Sequence, residues 1–359
     1  MIDQTSPPKA SEIRMRTRVL PTAVLLAALS STFLASPATA QTSQFYSAKE
    51  LSLYVGFTPG GGFDIFARTV AKYLGDHIPG QPSVVVRNMP GAGGATVVNY
   101  MLRSAPKDGT TIALLNPVMS TASFLTPEIA KWDAREFEWL GAPSSEINFC
   151  IFWDHSGIEK VEDLSGKDRP INMAGVGVSG VTLDSLTLRH LMGWNWKMVM
   201  GYPGLIDAVN AGERREIDGS CGLTASTLKT RLVNDIKAKK VRVMLATSLL
   251  THPDFPEARN AFELAKNEEQ RQIMSLVFGP WKFGRPFMAP NGVPQERLEL
   301  LKKALMNVSA DKRLIEDARK LGFDIGFVPA DDIQKLIKSF YAVPDEVKAK
   351  TREIIQVKQ

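Results

Sequence analysis

Short apolar, β-rich runs alternate along the chain with longer stretches in which apolar residues recur every three or four positions. The first run, LSLYVGF (51–57), is followed by Phe63, Phe66, Val70 and Leu74 at helical spacing. SVVVRN (83–88) leads to Val98, Met101 and Leu102 in a second helix, and TTIALLN (110–116) is entered through the turn Lys107-Asp108-Gly109. Strand, tight turn, helix and strand in that order predict right-handed parallel units of a doubly wound sheet. Further strands are predicted at 148–154, 170–175, 197–202, 216–222, 240–248 and 285–290, with helices over 181–192, 203–212, 294–308, 311–321 and 331–341. A typical sheet holds about five strands, so this many predict two sheets. The crossings between them are expected near 146–150 and 244–250, because each follows a strand and neither leads into a parallel unit. That division gives lobe 1 as 41–146 plus 247–359 and lobe 2 as 147–246.

The N-terminus departs from this pattern. Met15-Arg-Thr-Arg leads into TAVLLAALSSTFLA and ends at Ala38-Thr-Ala40, the basic, apolar and small-x-small sequence of a secretory signal peptide. Residues 1–40 are therefore expected to be removed after Ala40, with Met15 as the true start, and the mature protein to be periplasmic. Removing Lys9, Arg14, Arg16 and Arg18 with Asp3 and Glu12 lowers the formal net charge from +5 to +3. Nucleic-acid binding would need clustered Lys and Arg with stacking aromatics. The densest basic run, Lys237 to Lys240, sits alone at a helix-to-strand junction. The four histidines are scattered, and Cys150 and Cys221 are not at metal spacing, so no metal and no cofactor is expected. Both cysteines fall in strand-like runs, NFCIF and EIDGSCG. A disulfide between them requires those strands to be neighbours, and two buried thiols are the alternative.

Three strand-to-helix connections are rich in glycine: Thr58-Pro59-Gly60-Gly61-Gly62-Phe63-Asp64, Met89-Pro90-Gly91-Ala92-Gly93-Gly94, and Gly175-Val176-Gly177-Val178-Ser179-Gly180. Ligands of such sheets sit at the carboxyl ends of strands, where helix N-termini present free N–H groups. The named phosphate motifs fail. Ile65 and Thr96 stand where a dinucleotide fingerprint needs its last glycine, and neither of the first two loops has the Walker lysine. Gly177-Val178-Ser179-Gly180-Val181 lacks the closing glycine of a nucleophile elbow. What remains is an anion smaller than a nucleotide, held by main-chain donors.

Phe57-Thr58-Pro59-Gly60-Gly61-Gly62-Phe63-Asp64 with Ala67-Arg68, and Asn88-Met89-Pro90-Gly91-Ala92-Gly93-Gly94, resemble the two hallmark loops of the substrate-binding receptors of tripartite tricarboxylate transporters, the Bug family. The resemblance extends through PKDG (106–109), GYPG (201–204), AVNAGERREIDG (208–219) and APNGVP (289–294), and departs at SCGLTAST (220–227) and in the tail after Tyr341. It implies a non-enzymatic, type II two-lobed periplasmic binding protein of α/β class. It further implies that the first two loops hold a small carboxylate through backbone N–H groups and waters, for delivery to membrane permease subunits by a monomeric receptor.

The expected ligand-binding residues are Thr58, Pro59, Gly60, Gly61, Gly62, Phe63, Asp64, Gly91, Ala92, Gly93 and Gly94. To these are added Asn116, Met119 and Ser120 after the third strand, and Gly177, Val178, Ser179, Tyr202, Pro203 and Gly204 in the second lobe. Asp64 can cap its helix with Arg68 as an i,i+4 partner, or accept from a bridging water or a ligand hydroxyl or ammonium. A carboxylate gains about 0.3–1 kcal/mol from each helix dipole and about 1.5–3 kcal/mol from each charge-assisted hydrogen bond. Micromolar affinity needs about 8 kcal/mol, so the second lobe must grip the rest of the ligand once association costs are counted. A periplasmic sensor subunit, or an exported hydrolase using the same cleft, are the competing readings.

Overall fold

The computed structural model describes residues 45–165, 169–177 and 179–356. The signal segment, its cleavage after Ala40, the start at Met15 and the candidate Val178 lie outside the described residues. In chain order the strands are β1 (Glu50–Val55), β2 (Ser83–Asn88), β3 (Thr111–Leu114), β4 (Glu138–Gly141), β5 (Asn148–Trp153), β6 (Ile171–Ala174), β7 (Trp196–Val199), β8 (Gly219–Thr224), β9 (Val241–Thr247), β10 (Arg259–Asn260) and β11 (Phe287–Ala289). The longer helices are α1 (Gly62–Leu74), α2 (Ala95–Arg103), α3 (Gly180–Met192), α4 (Leu205–Glu213), α5 (Glu268–Phe278), α6 (Gln295–Ser309), α7 (Lys312–Lys320), α8 (Ala330–Ala342) and α9 (Asp345–Ile355).

Two sheets form, ordered β2-β1-β3-β11-β4 and β10-β9-β5-β8-β6-β7. In the first, β1 pairs parallel with both β2 and β3, so three strand ends and their loops share one edge. β11 is antiparallel to β3 and β4. In the second, β6 is parallel to β7 and β8, while β5 runs antiparallel between β8 and β9. The start of β5 therefore stands beside the ends of β8 and β9, with Asn148 opposite both Thr224 and Thr247.

Each sheet owns its core. Phe66, Ala67, Val70 and Leu74 form the apolar stripe of α1 and pack on Leu51, Leu53 and Val55 of β1. In the second, α3 and α5 cover a face that includes Cys150, Phe152 and Met173. Cys150 and Cys221 are joined by a disulfide, their Cα atoms 3.8 Å apart on β5 and β8. Sequence left that bond open because the adjacency of β5 and β8 depends on strand order.

The chain leaves the first sheet after β4 and enters the second at β5. It returns at β11, later than the 244–250 crossing expected from sequence, because β10 pairs with β9 and α5 packs on the second core. The two crossings are tied together. The N–H of Glu146 donates to the carbonyl of Trp281 at 3.2 Å, and the buried Arg285 guanidinium donates to the buried Glu146 carboxylate. Beyond them α8 packs on the first core through Ile333, Ile337 and Phe340, whereas α9 packs on the second through Val347, Ile354 and Ile355. The tail after Tyr341 is thus a helix that returns to the other lobe.

Candidate functional site

The loops after β1, β2 and β3 converge because their strands are parallel neighbours. A Cβ on Gly56 would stand 2.7 Å from Gly94 Cα, so the first two loops touch backbone to backbone. The second loop turns through Gly91, Ala92, Gly93 and Gly94, all at positive φ, which only a glycine-rich segment adopts cheaply. Asn116 ties the third loop to it, donating from Nδ2 to the Gly93 carbonyl at 3.1 Å and accepting the Val118 N–H at Oδ1. Phe57 and Phe63 stack at 4.6 Å across the first turn.

Asp64 is 2% exposed and its carboxylate is fully engaged by the protein. Oδ2 accepts the Gly60 N–H at 2.8 Å, Oδ1 accepts Asn88 Nδ2 at 2.8 Å, and Arg68 Nε lies 3.0 Å from both oxygens. Asn88 Nδ2 also donates to the Phe57 carbonyl at 2.9 Å. Burial alone would raise the Asp64 pKa, but the bonds from Arg68, Gly60 and Asn88 together hold it below the ordinary carboxylate range. Asp64 is thereby the buckle of the turn.

Four helices that start at strand ends, two in each sheet, carry no side-chain cap. α1 starts after Gly61, α2 after Gly94, α3 after Ser179 and α4 after Gly204, and none has a side-chain cap. Ser179 carries a hydroxyl, yet spends it on the Val176 carbonyl at 2.5 Å. Elsewhere α5 and α7 are capped by Asn267 and Asp311, whereas α6, α8 and α9 start after Pro294, Pro329 and Pro344 without a side-chain cap. Four helix N-termini at strand ends thus keep first-turn N–H groups without side-chain acceptors, an arrangement that binds anions.

The sequence candidates fall into three settings. Thr58, Pro59, Gly60, Gly61, Gly62, Phe63 and Asp64 lie with Gly91 to Gly94 and Asn116 in one cluster of loops. Met119 and Ser120 are buried, and the Ser120 hydroxyl donates to the Pro117 carbonyl at 2.7 Å. Gly177, Ser179, Tyr202, Pro203 and Gly204 lie in the loops after β6 and β7 of the second sheet. Among the described residues no hydrogen bond joins them to the first-lobe loops. Gly222, at φ +70°, allows β8 to touch the start of α3: a Cβ there would stand 2.3 Å from the Gly180 carbonyl carbon.

One residue that sequence did not single out links the two lobes. Trp281, between α5 and β11, belongs to the same core cluster as Met119, and its Cζ2 lies 3.3 Å from where a Cβ on Gly180 would stand. Nothing in the sequence separates it from the five other tryptophans, because its place comes from the return crossing. Among the described residues no group of His, Cys, Asp and Glu is arranged to hold a metal ion, and no helix is long and apolar enough to cross a membrane.

No family model matches the chain. Among curated proteins it is similar to the UPF0065 protein of the tcbD-tcbE intergenic region of Pseudomonas sp. strain P51, 24% identical over 322 residues, 88% of this chain and 90% of that one. It is also similar to BugT of Bordetella pertussis, 42% identical over 81 residues, 23% of each chain. Among solved structures, the periplasmic binding protein BugD matches with a TM-score of 0.66 and 23% identity, over 85% of this chain and 98% of that one. A Rhodopseudomonas palustris protein with adipate matches at 0.65 and 19% identity, over 85% and 97% of the two chains. MatC of the same organism with bound malate matches at 0.60 and 17%, over 86% and 99%. The chain is thus similar in sequence to a UPF0065 protein over most of its length and to BugT over a quarter of it, and it shares the fold of periplasmic binding proteins.

Proposed function

We propose that the protein is an extracytoplasmic receptor that closes on a small organic acid and hands it to a transporter. It is a binding protein and not an enzyme. The observation that carries the reading is the set of uncapped helix N-termini at the strand ends, α1 and α2 from one sheet and α3 and α4 from the other. A carboxylate placed among these starts is stabilised by free N–H donors and by the helix dipoles. The adipate and malate bound to two structural neighbours are ligands of that chemistry. In this reading α1 and α2 hold the acid, the two crossings act as the hinge, and the second sheet supplies the closing lobe. Cleavage after Ala40, a monomeric state and delivery to permease subunits complete the proposal.

A thermal-shift screen of carboxylic acids against their primary amides tests it. Ligand at a hundredfold excess over Kd adds about 2.7 kcal/mol of stability, enough to raise the melting temperature by several degrees. At least one acid is expected to give such a shift and its amide none. Equal shifts from acid and amide, or no shift from any acid, would overturn the reading.

A further inference from the structure

Between α7 and α8 the turn Gly322-Phe323-Asp324 belongs to the first lobe and touches the second. Phe323 is buried in the first core, edge-on to Phe66 of α1 at 5.3 Å. The Arg285 guanidinium stands 4.7 Å from its ring and 5.4 Å from that of Phe63 in the first glycine turn. Gly322, at φ +78°, lies against the short helix Ala225–Thr230 that follows β8: a Cβ there would stand 2.4 Å from Thr230 Cγ2 and 3.0 Å from the Ser226 carbonyl oxygen. Asp324 then reaches across. Its two oxygens accept from Lys229 Nζ at 2.6 and 2.5 Å, and Oδ2 also accepts from His252 Nε2 at 3.1 Å. The His252 ring is set by the second lobe. Its Nδ1 accepts the Asp254 N–H at 3.0 Å, which leaves Nε2 to carry the hydrogen toward Asp324, and the ring packs beside Phe149 and Phe255. Lys229 lies 3.5 Å from Asp254 as well. The bond from His252, and after it the Lys229 ammonium, hold the Asp324 carboxyl down at about 2, so it is charged throughout the neutral range.

The contact stands on the ligand side of the strand crossings. Leu321 lines one surface groove with Ile65, in the first turn of α1. The short helix begins at the carboxyl end of β8, the edge on which the parallel strands β6 and β7 also end. We infer that the turn is a clasp: Asp324 draws the second lobe toward the first along the flank of the cleft and biases the ligand-free receptor toward the closed arrangement. The inference rests on the receptor reading for its two moving lobes and adds the residues that set how far apart they stand. Asp324 and Lys229 act as positioning residues, with no need to touch the ligand. Asp324 is half-exposed, and exposed ion pairs add little to folding. Little is needed here, because apparent affinity scales with the fraction of molecules in the binding-competent arrangement, and a modest pair moves a balanced equilibrium.

Small-angle X-ray scattering of the purified, ligand-free protein tests the clasp without reference to any ligand. Asp324→Asn is expected to give a larger radius of gyration than the unaltered protein. Asp324→Glu, which keeps the charge, should stay compact. Asp317→Asn is the control: it removes the same charge from a pair with Lys72 inside the first lobe, and should leave the radius unchanged. Circular dichroism and the melting temperature report whether each variant is folded, and where Asp324→Asn does not fold, Lys229→Met is read in its place. Calorimetric titration with malate and with adipate supplies the second readout. For whichever of the two binds, Asp324→Asn should weaken affinity about three- to tenfold, and Asp317→Asn should not. A radius in the folded Asp324→Asn variant equal to or smaller than that of the unaltered protein overturns the clasp, and so does equal expansion by Asp317→Asn. Either result leaves the receptor reading standing, because that reading falls only if no acid shifts the melting temperature or if acid and amide shift it equally.

Discussion

At the scale of single residues, Asp64 shows how a buried carboxylate can sit within a glycine turn with its charge offset. Both its oxygens are bonded to Gly60, Arg68 and Asn88, and the guanidinium offsets its charge. Asp64→Asn replaces an acceptor with an amide donor facing Arg68 and Asn88. It is expected to lower stability by about 1–3 kcal/mol, measured by urea denaturation, and to weaken acid binding through a looser turn. An unchanged denaturation midpoint would remove the buckle role. The loop glycines were legible in the sequence because positive φ and backbone contact leave few other residues. Asn148 and Trp281 were not. An Asn at the head of a strand and one tryptophan among six carry no periodic or motif signal, and their meeting at Gly180 requires the packing of three elements that are distant in the chain.

At the scale of elements, the alternating pattern placed most strands and helices within a few residues, since period and turn chemistry are local. It did not reveal β4 or β10. β4 is a four-residue run that begins at Glu138 just after the charged Arg135 and Glu136, and β10 has only two residues. α5 and α9 were also missed: their exposed faces are crowded with charge, and their apolar stripes are short. The pairing of β5 with β8, which brings Cys150 to Cys221, belongs to strand order and leaves no local trace. The bond closes a loop spanning 71 positions of sequence. Replacing both cysteines with alanine is expected to cost about 2–4 kcal/mol, read as a lower melting temperature that reducing agent no longer alters. If dithiothreitol leaves the melting point of the unaltered protein unchanged, the disulfide has no such role.

For the whole molecule, the buried Asp184 makes stability depend on pH in an unusual direction. Burial pushes its pKa up to about 7, opposed by bonding from Thr247 and the nearby Asn148 amide. An unfolded Asp titrates near 3.9, at about the ordinary value, so between roughly pH 4 and 7 the folded protein holds a proton that the unfolded chain has released. The contribution is complete below about pH 4 and is lost as pH rises through about 7. Asp184→Asn mimics the protonated form. It should raise the melting temperature at pH 8 by an amount corresponding to roughly 1–4 kcal/mol, and flatten the slope between pH 5 and 8. A slope identical to that of the unaltered protein would show that Asp184 is ionised in the fold. Asp64, Asp311, Asp317 and Asp324, all held below the ordinary range, act oppositely in more acidic solution.

The two-sheet architecture was readable from strand number alone, but the path between the sheets was not. The sequence gives no local mark that α8 stays on the first core and α9 crosses to the second. Only Val343 and Pro344 lie between the two helices. The two cores are therefore linked at a third point besides the two strand crossings. A link of two residues leaves little slack, so any shift of one sheet against the other must carry the C-terminal helix with it.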